Sequence, residues 1–408
     1  MAQTLNKYDK FLIVLLASMM FGSIGGALTV PRVVAILLFP YLTKGMRACG
    51  YYISRYKTFF TVFICWCVLS MVWTTDKMQG FKELCYHTVH FVYFFEILVF
   101  SKFANRPLQS IMFGWILSAI GSAAFGLWEV TTGNHLSIVT SSQDERNSWN
   151  IGGGMTLDQN FARAAYGNYN SFVAYICFAF AFLLYSVFQK GQNTLVRVVS
   201  IGVSVALVSI VILNASRGGL LTIIVFFAVF FLSKFKPKYT IPFAIVAIAL
   251  YLLIANILDN PIFELISYRV SDGGLLNGSD RFEIWKCAWE TYVRSAFIGT
   301  GVGSITASML ITNPNIIASP HNLFLEILVQ YGFIFLFCYL SFLLGIFKKT
   351  LRVADRQRKV MLLACFIAMP FFSIIDSGYL LTPNLYAFCA SIYVFANIEL
   401  INKQLQNL

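Results

Sequence analysis

Uncharged apolar runs about as long as a bilayer is thick recur along most of the chain, and they constrain it more than any other feature. The stretches 171–188 and 198–214, for example, contain no Asp, Glu, Lys or Arg. A helix rises ~1.5 Å per residue, so about 20 such residues cross the hydrocarbon core with their backbone groups satisfied. Of the 408 residues, 58% are hydrophobic and 12% charged, against roughly 45–50% and 25% in soluble domains. That excludes a soluble enzyme, a disordered chain and a disulfide-stapled secreted module. The 40 Phe and 20 Tyr suit lipid-facing helices and interfacial belts.

We expect an all-α membrane protein of about 12 transmembrane helices, a single polytopic domain over 1–408. The spans fall near 9–25, 30–46, 57–74, 82–101, 108–130, 168–189, 196–214, 217–233, 239–258, 321–347, 359–377 and 382–402. The first apolar run, Phe11 to Val30, reads as a retained span and not as a cleaved signal sequence. Two hairpins are tight, turning at Gly25-Gly26 with Pro31 and at Ser216-Arg217-Gly218-Gly219.

The formal net charge of +12 is explained by topology. Most of the 30 Lys and Arg fall in alternate loops, those holding Lys44 to Lys57, Lys102 and Arg106, Lys190 and Arg197, Lys234 to Lys238, and Lys348 to Lys359. The positive-inside rule puts these loops and both termini in the cytoplasm, and no nucleic-acid partner is needed. Two long loops, about 131–167 and 258–320, then lie on the external face, so the chemistry belongs on that face. No Walker-type loop lies on the cytoplasmic side, and Gly299-Thr300-Gly301-Val302-Gly303 reads as a flexible turn. The nine cysteines sit mostly inside apolar runs as small hydrophobes. Glu83, His87 and His90 share a helix face but lack a third ligand, so we read them as packing; no metal or cofactor is expected.

Three residues stand out. Arg217 lies where two spans meet and Ser216 caps the second, so it is either a snorkelling cation or a binder of lipid phosphate. Arg281 opens an amphipathic helix whose Phe282, Trp285, Trp289 and Tyr292 recur at 3,4,3 spacing; it reaches the same phosphate or is simply solvated. His321 follows Ser319-Pro320, an N-cap and first-turn pair. On that reading the helix terminus keeps the imidazole neutral, as a general base or as a structural side chain. Arg163, Asn168, Asn170 and Asn322 are candidates for glycan or acceptor binding. Glu96 and Glu326 lie within spans without a nameable partner.

The ordered set resembles the Wzy-type O-antigen polymerase and O-antigen ligase superfamily. The resemblance rests on Ser216-Arg217-Gly218-Gly219, then Gly278-Ser279-Asp280-Arg281-Phe282-Glu283-Ile284-Trp285, Phe297-Ile298-Gly299-Thr300-Gly301 and Pro320-His321-Asn322 with Gly332. Phe161 to Asn170 is similar to the family's Gly-Asn-Pro-Asn segment, with Tyr169 where Pro is usual. The resemblance implies a GT-C-like, metal-independent, inverting glycosyltransferase with an undecaprenyl-diphosphate-linked glycan as donor. Arg217 and Arg281 would hold the diphosphate, and His321 would deprotonate the acceptor hydroxyl. It implies membrane lipids and a chain-length regulator protein as partners. Polymerase is favoured, with ligation to lipid A–core as the alternative. The rival outside enzymology is a glycolipid transporter or flippase, which needs repeated halves that the sequence does not display.

Overall fold

The computed structural model describes residues 4–49, 51–136, 150–151, 155–156, 161–214, 216–234 and 279–406. The expected ninth span, 239–258, and the first part of the second long loop lie outside the described residues. Among those described, the chain is helical apart from a pairing of the two-residue strands Asn150–Ile151 and Met155–Thr156. Six helices are long and apolar enough to cross a membrane: α4 (Lys77–Phe103), α5 (Pro107–Thr132), α6 (Tyr169–Phe188), α7 (Thr194–Leu213), α8 (Arg217–Lys234) and α12 (Phe333–Leu351). The others are α1 (Lys7–Ala17), α2 (Val30–Cys49), α3 (Tyr51–Ser70), α9 (Ser279–Arg294), α10 (Ile305–Thr312), α11 (Leu323–Tyr331), α13 (Arg356–Phe372) and α14 (Pro383–Gln406).

Helix α6 is the centre. Every residue from Phe172 to Tyr185 is buried, and Trp115 of α5 stacks on Phe182 with ring centroids 5.1 Å apart. A helix apolar all round is what such a position requires. Helix α12 is the opposite case, with Phe333, Ile334, Phe337 and Leu340 all exposed as lipid-facing side chains should be.

The loops gather at two ends. At one end Asp9 of α1 accepts from the backbone N–H groups of Asn105 (3.0 Å) and Arg106 (2.9 Å), fixing the α4–α5 loop to the N-terminus. At the other, the segment entering α6 donates Ala162 N–H to Asn214 Oδ1 (2.8 Å) and Arg163 N–H to Glu129 Oε2 (2.7 Å), while Ser23 N–H reaches Ala165 O (2.7 Å). The ends of α5 and α7 and the α1–α2 loop therefore share one side.

Two expectations need correction. The tenth span is not one helix over 321–347. It begins at Leu323 and breaks at Gly332, whose φ of +84° only glycine adopts readily. A Cβ there would stand 2.6 Å from the Ile298 carbonyl oxygen. Nor is the glycine-rich 299–303 segment a flexible turn. Thr300 N–H and Gly301 N–H donate to Val329 O (2.8 Å) and Gln330 O (3.0 Å), and Val302 is fully buried. Its glycines serve close packing: a Cβ on Gly303 would meet Gly80 N at 2.3 Å.

Candidate functional site

Serine 216 does precede a helix. Arg217 is the first residue of α8, Ser216 O accepts Leu220 N–H (2.9 Å), and Arg217 itself is exposed. Gly218 beside it lies against residues 371–375; a Cβ there would come within 2.9 Å of Ile375 Cγ1. Arg281, in the first turn of α9, approaches the same segment from another direction and donates Nη1–H to Ile374 O (3.0 Å). Burial lowers the guanidinium's pKa; Tyr169 and Tyr379 oppose that, and the Arg217 charge adds a smaller lowering. The fold thus makes the two arginines electrostatic neighbours.

The aromatic stripe of α9 is split. Tyr292 is buried with Ile284, Cys287 and Ala288 against Met309, Leu328 and Val329, and Trp285 packs beside them, whereas Phe282 and Trp289 are exposed. Trp285 donates its Nε1–H to Pro320 O (2.9 Å), which ties α9 to the histidine loop.

Histidine 321 sits differently from expectation. Asn322, not Ser319, caps α11, its Oδ1 accepting the N–H groups of Phe324 (3.0 Å) and Leu325 (3.3 Å). An Asn at the last non-helical position outcompetes a Ser three residues earlier because it reaches the first free amides. His321 therefore lies outside the helix, with φ +46°, a backbone strain that concentrates at functional sites. Burial, and then the Arg281 cation, push its pKa down to about 4, so the imidazole is neutral at physiological pH. The expected cause, the helix terminus, is replaced by those two. The ring's Nδ1 is buried with no hydrogen-bond partner among the described groups.

What unites these pieces is a segment the sequence reading passed over, residues 373–378. Ser373 O accepts Leu323 N–H (2.9 Å), Ile374 O holds Arg281, Ser377 Oγ bonds Ser319 Oγ, and Gly378 N–H donates to Glu326 Oε1 (2.7 Å). Asp376 is buried, and that burial raises its pKa to about 6 against the opposing hydrogen bonds of Ser171, Ser377 and Asn168. The strap thereby joins the start of α6 to α8, α9 and the His321 loop. Its signal was present: Asp376 is the sole acid between Asp355 and Glu399, at the end of an apolar run. Glu326 thus has a partner after all.

Of the remaining candidates, Asn168 is the N-cap of α6, its Oδ1 accepting Ser171 N–H (2.8 Å), and Asn170 lies in the first turn. Arg163 is half-buried beside them. Glu83, His87 and His90 are buried elsewhere, between α4, α11 and α14. Glu96 is fully buried with neither carboxyl oxygen hydrogen bonded among the described groups. No group of three His, Cys, Asp or Glu among the described residues is placed to hold a metal ion.

Residues 202–340, which include Arg217, Arg281 and His321, match the family described as O-antigen ligase. Over 303 residues the chain is 20% identical to the teichuronic acid biosynthesis protein TuaE of Bacillus subtilis, covering 72% of this chain and 60% of that protein. The chain thus spans less than two thirds of that relative's length. No solved structure matches it. The profile match and the distant relative both liken the chain to the O-antigen ligase/polymerase superfamily of polysaccharide biosynthesis.

Proposed function

We propose that the protein is a glycosyltransferase of the outer face of the bacterial cytoplasmic membrane, polymerising polysaccharide repeats carried on undecaprenyl diphosphate. In this reading it is a GT-C-like domain over 1–408 with about 12 spans, cytoplasmic termini, and the loops 131–167 and 258–320 facing the periplasm. The observation that carries the proposal is the convergence, on the 373–378 strap, of two arginines and a strained, neutral histidine.

The chemistry follows from those groups. A diphosphate between Arg217 and Arg281 receives bidentate, charge-assisted hydrogen bonds from forks that stay cationic. His321 takes the proton of the acceptor hydroxyl as its oxygen attacks the anomeric carbon from the face opposite the diphosphate. The new glycosidic C–O bond forms as the old C–O bond to phosphate breaks, inverting that carbon. Undecaprenyl diphosphate leaves with its added charge neutralised by the two arginines, the role a metal ion plays in other transferases. Asn168, Asn170, Asn322 and Arg163 line the approach for the glycan; the cap of α11 uses the amide oxygen of Asn322 and leaves its N–H groups as donors, while Asn168 also bonds the Asp376 carboxylate.

A second reading, ligation of the finished glycan to lipid A–core, is favoured by the description of the matched family. The biosynthetic role named for the distant relative favours chain building. The glycan ladder of a deletion strain decides between them. Loss of all but single-repeat capping is the polymerase outcome, and loss of every capped lipid A is the ligase outcome. A normal ladder would sink both.

A further inference from the structure

Three of the helices that meet at the outer site also enclose a cavity at their opposite ends. Helix α6 carries Asn168 and Tyr169 at its start and Phe188 and Gln189 at its finish, ~30 Å away at 1.5 Å per residue. Helix α8 runs from Arg217 to Lys234, and α13 runs from Arg356 to the strap. Between Gln189, Lys190, Lys234 and Arg356 lies a polar cavity of about 330 Å³, floored by Phe188 and Phe230.

The charge in this cavity is unbalanced. Lys190, Lys234 and Arg356 bring three cations against one acid, Asp355, which is committed to capping α13 through Arg358 N–H (2.6 Å). Among the described residues no carboxylate forms an ion pair with any of the three. Arg356 donates to Ser233 O, and the Lys234 ammonium stands 5.8 Å from the Phe188 ring centroid, so two of the cations are held at the wall. A fourth cation, Arg197, donates to Gln189 O (3.0 Å). The Gln189 amide oxygen is itself buried without a partner among the described groups, and a half-turn of that amide presents its NH2 instead. A cationic rim over an aromatic floor at a membrane boundary has the chemistry of a site for an anionic head with an apolar tail.

We propose that this cavity binds the phosphate of an anionic ligand, supplied by a lipid headgroup of that leaflet or by free phosphate, and that occupation clamps the same three helices that carry the outer site. The claim stands apart from the transfer reaction, since it requires only the helix ends and their charges.

The test uses the full chain, purified and reconstituted in nanodiscs of phosphatidylcholine alone or with phosphatidylglycerol, with thermal unfolding as readout. Phosphatidylglycerol should raise the melting temperature of the wild type. In Lys190→Gln/Lys234→Gln that rise should vanish, with lipid affinity falling about thirtyfold, while the melting temperature in phosphatidylcholine is kept. Lys190→Arg/Lys234→Arg should retain the rise, which guards against a variant that merely folds poorly. Inorganic phosphate added in phosphatidylcholine distinguishes the sources: an equal rise assigns the cavity to free phosphate, and no rise assigns it to the lipid. The proposal is overturned if neither probe shifts the wild type, or if the Gln pair responds to phosphatidylglycerol as the wild type does.

Discussion

Two histidine regions, one fully buried and one half-buried, lie at the same end of this molecule, and they are built on opposite principles. In α4, His87 bonds Tyr331 OH through Nε2 (2.6 Å) and Tyr386 OH through Nδ1 (3.2 Å). His90 accepts Arg32 Nε–H on Nε2 and reaches Leu380 O through Nδ1, both at 3.2 Å. Arg32 is in turn spent on the Ala27 and Leu381 carbonyls, both at 2.7 Å, and on the Tyr86 ring. Every polar atom named there has a partner and lies on regular helix or against it. His321 sits on a left-handed turn with an orphan ring nitrogen beside a cation. A saturated network is how a core tolerates polar groups; an unsaturated one is tolerated where a substrate completes it.

The sharpest way to break that contrast is to remove each histidine in turn. If His321 is the base, His321→Ala should lower turnover by about 10²–10⁴-fold with donor binding preserved, since the arginines hold the diphosphate independently. The assay is turnover and donor affinity of the purified variant with a lipid-diphosphate-linked glycan. Turnover within a few-fold of wild type would move His321 into the same class as His87.

The arginines come next. Arg217→Lys and Arg281→Lys keep the charge and lose the fork, and each should cost about 2–4 kcal/mol in kcat/KM while the protein still inserts. Arg281→Lys also gives up the hydrogen bond to Ile374 O, so it should be the more damaging of the two. Equal kcat/KM for both variants and the wild type would end the diphosphate assignment.

How far the sequence alone led is clearest at these positions. Helix limits were legible because hydropathy is local: α6 at Tyr169–Phe188 and α8 at Arg217–Lys234 fall within a residue of the expected spans. The break at Gly332 was not, because its cause is the Ile298 carbonyl, far along the chain. Arg217 and His321 could be singled out as polar residues at span ends, and Arg281 at the start of an amphipathic loop helix. The strap that assembles them could not, since its work is done by the backbone carbonyls of Ser373 and Ile374, which carry no residue identity. The cap of α11 was misplaced by three residues because Ser319-Pro320 and Asn322 are both credible starts, and only packing chooses.

On the saturated side, His87→Ala leaves two buried tyrosine hydroxyls short of a partner, though Tyr331 OH keeps Gln330 Nε2 (2.9 Å). Stability should fall by about 1–3 kcal/mol, with turnover per folded molecule near normal. Thermal unfolding and a folded-fraction-corrected rate check this; a hundredfold loss of turnover without destabilisation would erase the distinction between the two regions.

The pH dependence probes the electrostatics directly. His321 titrates near 4 in the folded protein and near 6.5 in the unfolded chain. Above about 6.5 both forms are neutral and the group contributes nothing to pH dependence. Between 6.5 and 4 the unfolded chain takes up a proton that the native state refuses, so stability falls as the pH drops through that window. His321→Gln should flatten this slope. In catalysis, kcat/KM reports the free enzyme, and its acid limb should lie near 4. The limb of kcat should lie higher, by about one unit, because a bound diphosphate offsets the Arg281 cation that helps hold the imidazole neutral. Donor binding would then strengthen the base as it supplies the leaving group. Coincident limbs in the two profiles would mean that the diphosphate does not sit beside Arg281, and a kcat/KM limb at 6.5 would mean that His321 is solvated in the working enzyme.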